Sequence, residues 1–160
     1  MEGFNLQLFN QLKKDVGVAY EKIKNIHCPA LGAIVIFNAD GFHHLRYDNN
    51  RSERSKQVQF NKFNCFRNVP NILELTTTIQ EYRKMICPVG KPNHSGYRSV
   101  STVEWFGFIA IINLEKKIRI RIIIRRIGEQ DGNYHFWSVM PDWRLSGNFR
   151  VVGPTDMEDV

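Results

Sequence analysis

Apolar residues recur at spacings of three and four near the start of the chain, which is the pattern of an amphipathic helix. Leu8, Leu12, Val16 and Ile23 fall on one stripe, and most of the charged residues fall off it. We therefore predict a helix over residues 4–24. The pattern stops at the sequence HCPALG, in which a proline and a glycine interrupt helical structure.

Two further groups of secondary-structure elements are predicted after this helix. A short β-branched run, the turn sequence Asn-Ala-Asp-Gly and the sequence FHHLRY predict a β-hairpin over residues 33–48. Phenylalanines at spacings of three, followed by a Val-Pro pair that can start a helix, predict helices over residues 55–76.

In the second half of the chain the sequence predicts a loop, strands and a tail, and no helix. Residues 88–101 contain two prolines, two glycines and several small polar residues, so we predict a mobile loop that could act as a lid. Residues 103–140 hold three apolar or alternating runs and predict a β-meander. Residues 153–160 form a short acidic tail.

These elements predict one α+β domain over residues 1–160, with an antiparallel β-sheet and the N-terminal and central helices packed on one of its faces. Hydrophobic residues make up 42% of the chain, which is enough for a core. No apolar run approaches the ~20 residues that span a bilayer. Three widely spaced cysteines indicate reduced thiols. We expect a cytoplasmic protein with no metal, no cofactor and no membrane partner.

The sequence KKIRIRIIIRRI predicts a strand with two different faces. Alternation places Arg119, Arg121 and Arg125 on one face, together with Ile123, and places the other isoleucines in the core. The net charge of +6 favours a polyanionic partner, and guanidinium groups bind phosphate oxygens bidentately. The alternative is a solvated outer face whose arginines pair with acidic neighbours.

The sequence YHFWSVM predicts the last strand, with His135 and Trp137 on one face and Ser138 on the other. An aromatic ring beside arginines can stack a base, and a serine hydroxyl can bond a phosphate. The alternatives are a tryptophan in the core and a buried serine bonded to the backbone.

Histidines in the predicted hairpin suggest acid–base chemistry. Metal-independent RNA cleavage needs a base for the 2′-hydroxyl, an acid for the departing 5′-oxygen and a cation for the charged phosphorane. His44 and Arg46 would share one strand face, and three cations follow at Arg51, Arg54 and Lys56. The alternative is a pair of exposed loop histidines. Zinc-binding motifs such as HExxH are absent from the sequence, which makes a zinc site the weaker interpretation.

The order of these elements resembles the RelE-like toxins and, more broadly, the superfamily of barnase, EndoU, colicin and RelE nucleases. The sequence KIRIRIIIRRIGEQDGNYHFWSVM is similar to their basic strand, tight turn and last strand. The sequence GFHHLRYDNNRSERSKQVQFNKF resembles members carried by phages and mobile elements. The resemblance covers residues 30–140. The chain is longer than RelE-like toxins, which favours free RNA or transfer RNA over a ribosome-dependent mode.

The resemblance implies a metal-independent endoribonuclease of toxin or phage type that leaves a 2′,3′-cyclic phosphate. It implies that His44 is a general base or acid, that Arg46 and Arg121 contact the phosphate, that Ser138 donates a hydrogen bond, and that His135 is the alternative proton donor. The expected RNA-binding residues are Arg51, Arg54, Lys56, Arg119, Arg125 and Trp137.

Two other classes of function stay open on the sequence. One is a non-catalytic nucleic-acid-binding module, and the other is a protein-interaction or phage accessory protein. The expected partners are RNA, including transfer RNA, and a cognate inhibitor or immunity protein.

Overall fold

The computed structural model describes residues 4–113 and 118–142. In chain order, its elements are α1 (Leu6–Lys22), β1 (Asn25–Cys28), β2 (Ala33–Ile36), α2 (Ala39–Arg46), α3 (Lys56–Phe66), α4 (Val69–Leu75), β3 (Glu81–Val89), β4 (Ser99–Asn113), β5 (Ile118–Ile127), a 3-10 turn (Glu129–Asp131) and β6 (Tyr134–Pro141).

The described strands form one sheet in the order β1-β2-β6-β5-β4-β3. Neighbouring strands are antiparallel, except that β2 and β6 run parallel. The predicted α+β class is therefore confirmed. The predicted meander over residues 103–140 corresponds to β4, β5 and β6, and β3 extends it by a further antiparallel strand.

The main core lies between the helices and one face of the sheet. The first helix begins at Leu6 because the Asn5 side chain accepts a hydrogen bond from the first turn and caps it. On β5, the side chains of Ile120, Ile122 and Ile124 are fully buried in this core, as the alternating pattern predicted. The helices predicted over residues 55–76 are present as α3 and α4.

The prediction of a β-hairpin over residues 33–48 is wrong. The strand β2 pairs with β1, and the residues that follow form helix α2. The sequence Asn-Ala-Asp-Gly is a helix cap here, because the Asn38 side chain accepts a hydrogen bond from the Gly41 N–H at 3.2 Å. His44 and Arg46 therefore lie two positions apart on a helix and do not share a strand face.

Helix α2 lies against the edge of β6. The parallel pairing of β2 with β6 covers Tyr134 and His135, and α2 contacts β6 at the next positions, Phe136 and Trp137. The approach is so close that a Cβ atom at Gly41 would lie 2.6 Å from the Phe136 carbonyl oxygen. Glycine is required at this contact, and the contact holds His44 beside the last strand.

The loop predicted over residues 88–101 is shorter in the structure, because β3 continues to Val89 and β4 begins at Ser99. Its mobility stays a prediction. The acidic tail predicted over residues 153–160 lies outside the described residues. Among the described helices, none has the length and apolar character needed to cross a bilayer.

Candidate functional site

A buried lysine contacts the last strand at the centre of the candidate site. The Lys62 ammonium nitrogen, Nζ, donates to Ser138 Oγ at 2.9 Å and to the Val139 carbonyl oxygen at 3.2 Å. Both Lys62 and Ser138 are buried, with 2% and 0% of their surfaces exposed. Helix α3 carries Lys62 and strand β6 carries Ser138, so the fold joins groups 76 positions apart.

His44 lies next to this pair. Its Nε2 atom shares a hydrogen bond with Asn49 Oδ1 at 3.1 Å, and its ring centroid lies 4.3 Å from that of Trp137. Within the described part of the chain, His44 Nδ1 is buried and has no hydrogen-bond partner. A buried ring nitrogen without a partner costs free energy, so it is a candidate contact for a ligand.

Burial and positive charge lower the basicity of this cluster. Burial, followed by the positive charge of Lys62, lowers the pKa of His44 to about 3. Burial also holds the pKa of Lys62 well below its ordinary value, with Arg54 as the next cause. His44 is therefore a neutral imidazole at pH 7. Shifted pKa values at neighbouring groups are typical of functional sites.

Arg54 connects the cluster to the segment after α2. Its Nε atom donates to the carbonyl oxygens of His44 and Tyr47, both at 3.2 Å. These bonds hold the end of α2 in place and bring a second positive charge close to Lys62. Arg54 was predicted as an RNA-binding residue, and the structure places it beside the cluster.

An irregularity in β6 positions Trp137. Opposite β5, Ser138 pairs with Ile123 and Phe136 pairs with Ile124, so Trp137 is the additional residue of a β-bulge. Bulges redirect side chains and occur frequently near functional sites. The Arg125 guanidinium carbon lies 3.5 Å from the centroid of the Trp137 ring. Burial lowers the pKa of Arg125 to about 10, so this arginine stays charged at pH 7.

The open row of arginines predicted on β5 is not present. Arg119 forms an ion pair with Asp142 at 2.9 Å, and Arg121 forms one with Glu81 at 3.0 Å. Ile123, between Arg121 and Arg125, is fully buried in a second, smaller core with Val103 and Trp105. The alternative, in which the arginines pair with acids, describes Arg119 and Arg121, and their predicted phosphate contacts stay predictions.

Four other predicted site residues have different contacts. Arg46 reaches the neighbouring Tyr47, whose ring centroid is 5.2 Å from its guanidinium carbon. His135 contacts the Asn133 carbonyl oxygen through Nδ1 at 3.2 Å and pairs with Arg125 across the strands. Arg51 and Lys56 are exposed. Their predicted roles stay predictions.

Lys62 is the central residue that the sequence interpretation missed. In α3 the buried positions include Gln59, Lys62, Phe63 and Phe66, which share one face of the helix. A lysine among phenylalanines on the buried face of an amphipathic helix was the available signal, because lysine is almost never fully buried without a partner.

Comparison of the chain with family models, with curated proteins and with solved structures gives no match. Across residues 4–113 and 118–142, no group of three or more His, Cys, Asp or Glu side chains is arranged to hold a metal ion. The site is therefore defined by its own geometry: a neutral imidazole, a buried amine bonded to a serine hydroxyl, and two nearby guanidinium groups.

Proposed function

We propose that this protein is a metal-independent endoribonuclease whose site contains His44, Lys62 and Ser138. The observation that carries the proposal is the bond between Lys62 and Ser138 beside a neutral histidine. RNA cleavage by the 2′-hydroxyl needs a proton acceptor, a proton donor and a positive charge, and this cluster contains one group of each type.

In the proposed reaction, the RNA 2′-oxygen attacks the adjacent phosphorus and the bond from phosphorus to the 5′-oxygen breaks. His44 Nδ1 accepts the proton of the 2′-hydroxyl, since the neutral ring has a free lone pair when Nε2 carries the hydrogen. The Lys62 ammonium group donates a proton to the departing 5′-oxygen. The products are a 2′,3′-cyclic phosphate and a 5′-hydroxyl.

The low pKa values of His44 and Lys62 belong to the protein without RNA. A bound phosphate brings negative charge next to both groups and raises the pKa of each toward its ordinary value. Substrate binding therefore favours the protonated form of Lys62, which is the form that can act as an acid. Ser138 and Arg125 would then bond the phosphoryl oxygens, as charged and hydroxyl donors do at phosphates.

The burial of His44, Lys62 and Ser138 means that RNA reaches the site only after a conformational change uncovers it. The same burial favours a second candidate function, RNA binding without cleavage, in which Lys62 and Ser138 only stabilise the fold. Transfer RNA as substrate, a cognate inhibitor and a cytoplasmic location stay predictions.

The test is incubation of the purified protein with transfer RNA and total RNA in EDTA. The wild type is compared with Lys62→Met, and Lys14→Met at an exposed position of α1 serves as the matched control. We expect cleavage by the wild type and the control, and a loss of at least about 100-fold in Lys62→Met, in line with general acid–base catalysis. RNA binding without product in all three proteins would support the second candidate function.

A further inference from the structure

Strands β3 and β4 extend past the end of the sheet as a two-stranded arm, which we define as residues 86–102. The last pair between β4 and β5 joins Val103 to Ile127. Beyond that pair, β3 and β4 continue alone for four more pairs, from Ile86 opposite Thr102 to Val89 opposite Ser99. The arm is therefore two-stranded. One of its faces stays on the domain, because Cys87 and Val89 pack against the second core and the Thr102 carbonyl oxygen accepts from the Gly128 N–H.

The tip of the arm has a defined turn. The Asn93 side chain accepts hydrogen bonds from the backbone N–H groups of Ser95 and Tyr97, at 3.0 and 2.9 Å. The Asn93 N–H donates to the Tyr97 carbonyl oxygen at 2.7 Å, and Gly96 takes a positive φ of 81°. These bonds present Tyr97 on a structured turn, which limits the entropy lost when a partner binds.

Large apolar side chains are exposed on the arm. Tyr97 is 74% exposed, Ile86 71% and Val100 65%. Val100 pairs with Pro88, two residues from Ile86, so Ile86 and Val100 lie on one face of the arm. Exposed apolar side chains that share a face are typical of an interaction surface. An exposed tyrosine ring presents a flat face on which a base can stack.

The charge of the arm identifies the class of partner. Residues 86–102 contain Lys91, Arg98 and His94 and no acidic residue. Near the base of the arm, two acids are already paired: Glu104 with Arg126 and Glu129 with Lys84. An arm with positive charge, an exposed aromatic ring and no acid is complementary to a single-stranded polyanion with flat bases.

We propose that the arm binds a single-stranded segment of RNA, with Tyr97 stacked on an unpaired base and with Lys91 and Arg98 on the adjacent phosphates. The proposal rests on RNA as the substrate of the proposed function, and it does not depend on cleavage. It assigns the substrate class as RNA with an unpaired segment, since stacking on Tyr97 requires an unpaired base.

The test measures binding in the Lys62→Met background, in which cleavage cannot remove the RNA. The ligand is a fluorescein-labelled single-stranded RNA of mixed sequence, and a blunt RNA duplex of equal length serves as a comparison. Tyr97→Ala should weaken binding of the single strand by about 5-fold to 100-fold, and Tyr97→Phe should restore it, because stacking needs the ring and not the hydroxyl.

The two cations are tested by salt dependence. For a single strand, the slope of log affinity against log salt falls by about 0.7 for each phosphate contact removed, so Lys91→Ala with Arg98→Ala should lower it by about 1.4. The double variant Lys14→Ala with Lys22→Ala on α1 removes the same charge at exposed positions and should leave the slope almost unchanged.

The outcomes separate the two proposals. Reduced binding in the arm variants supports the arm proposal even when the wild type cleaves nothing, and in that case only the nuclease fails. Single-strand affinity and salt slope that are equal in wild-type and arm variants overturn the arm proposal, and they leave the arm as a surface for a protein partner. Tighter binding to the duplex than to the single strand also overturns it.

Discussion

The carboxylate of Glu81 on β3 crosses over β4 to reach Arg121 on β5, with Oε1 3.0 Å from Nη2. The crossing is possible because Gly107 lies between them on β4. A Cβ atom at that position would lie 2.5 Å from the Glu81 carboxylate. Glycine in a strand interior often marks such a close approach.

This relationship gives a first prediction about stability. Gly107→Ala and Glu81→Gln should each leave the buried Arg121 charge without full compensation and lower the free energy of unfolding by about 3 kcal/mol. The measurement is urea denaturation. Glu129→Gln, which breaks the half-exposed pair with Lys84, is the control and should have little effect. Equal effects of all three changes would contradict the prediction.

A second prediction concerns the contact between α2 and β6. Gly41→Ala places a methyl group 2.6 Å from the Phe136 carbonyl oxygen and 2.4 Å from the Tyr20 hydroxyl, so α2 must move away from β6. We expect a loss of stability of about 2 kcal/mol, as in overpacked cores. Because α2 carries His44, we also expect reduced RNA cleavage.

The control for this change is Gly17→Ala in α1, where the nearest atom is Phe42 Cζ at an ordinary 3.6 Å. Alanine is favoured over glycine in a helix interior by about 0.5–1 kcal/mol, so Gly17→Ala should raise the melting temperature while Gly41→Ala lowers it. Melting temperatures that shift in the same direction for both variants would count against the close contact.

The pH dependence of stability follows from His44. Its pKa is about 3 in the folded protein and 6.5 when unperturbed, so the unfolded chain binds the proton more tightly. Folding stability is therefore complete above pH 6.5 and is lost as the pH falls toward 3. Between pH 6.5 and 5, wild type should lose roughly 2 kcal/mol relative to His44→Phe, which does not titrate.

This difference is measured by chemical denaturation at a series of pH values, with the same change at the exposed His94 as the control. A difference between wild type and His44→Phe that stays constant over this range would show that His44 is solvated and titrates normally.

Lys62 gives a prediction in the alkaline range. Burial lowers its pKa in the folded protein, so the unfolded chain again binds the proton more tightly. Stability is complete above the unfolded pKa, near 10.4, and decreases as the pH falls toward the folded pKa. Relative to Lys62→Met, wild type should therefore lose stability progressively as the pH is lowered from 10. The free energy of unfolding is measured for both proteins at a series of pH values. A difference between them that does not change with pH would mean that Lys62 is charged throughout.

The sequence predicted the elements whose patterns are long and regular. The helix α1 and the isoleucine face of β5 follow directly from periodicity, and Ile120, Ile122 and Ile124 are buried as predicted. On the predicted α1 stripe, Leu12 and Val16 are buried, but Leu8 is exposed and the neighbouring Phe9 is buried. The hairpin over residues 33–48 was wrong because Asn-Ala-Asp-Gly caps a helix as readily as it turns a hairpin. The local sequence does not distinguish a helix cap from a hairpin turn. The close contact of Gly41 with β6, which is distant in the chain, favours the helix.

The candidate site was predicted only in part. His44, Arg54, Arg125, Trp137 and Ser138 were all proposed from sequence, and the structure brings them near one another. Their arrangement was not predictable, because it depends on a β-bulge in β6 and on a helix where a strand was expected.

The other differences between the predicted site and the structure arise from contacts between residues that are distant in the chain. Lys62 was missed because its bonds to Ser138 and Val139 join separate parts of the sequence. The ion pairs of Arg119 and Arg121 depend on acids that alternation along a single strand cannot locate.

The most direct test of the central claim is single-turnover cleavage, in EDTA, of an RNA with one 2′-deoxy nucleotide at the mapped cleavage position. We predict that wild type cleaves the all-ribose RNA to a 2′,3′-cyclic phosphate, that the single 2′-deoxy substitution stops cleavage at that position, and that Lys62→Met cleaves neither RNA. Equal cleavage of both RNAs by wild type, or undiminished cleavage by Lys62→Met, would contradict the proposed site and its mechanism.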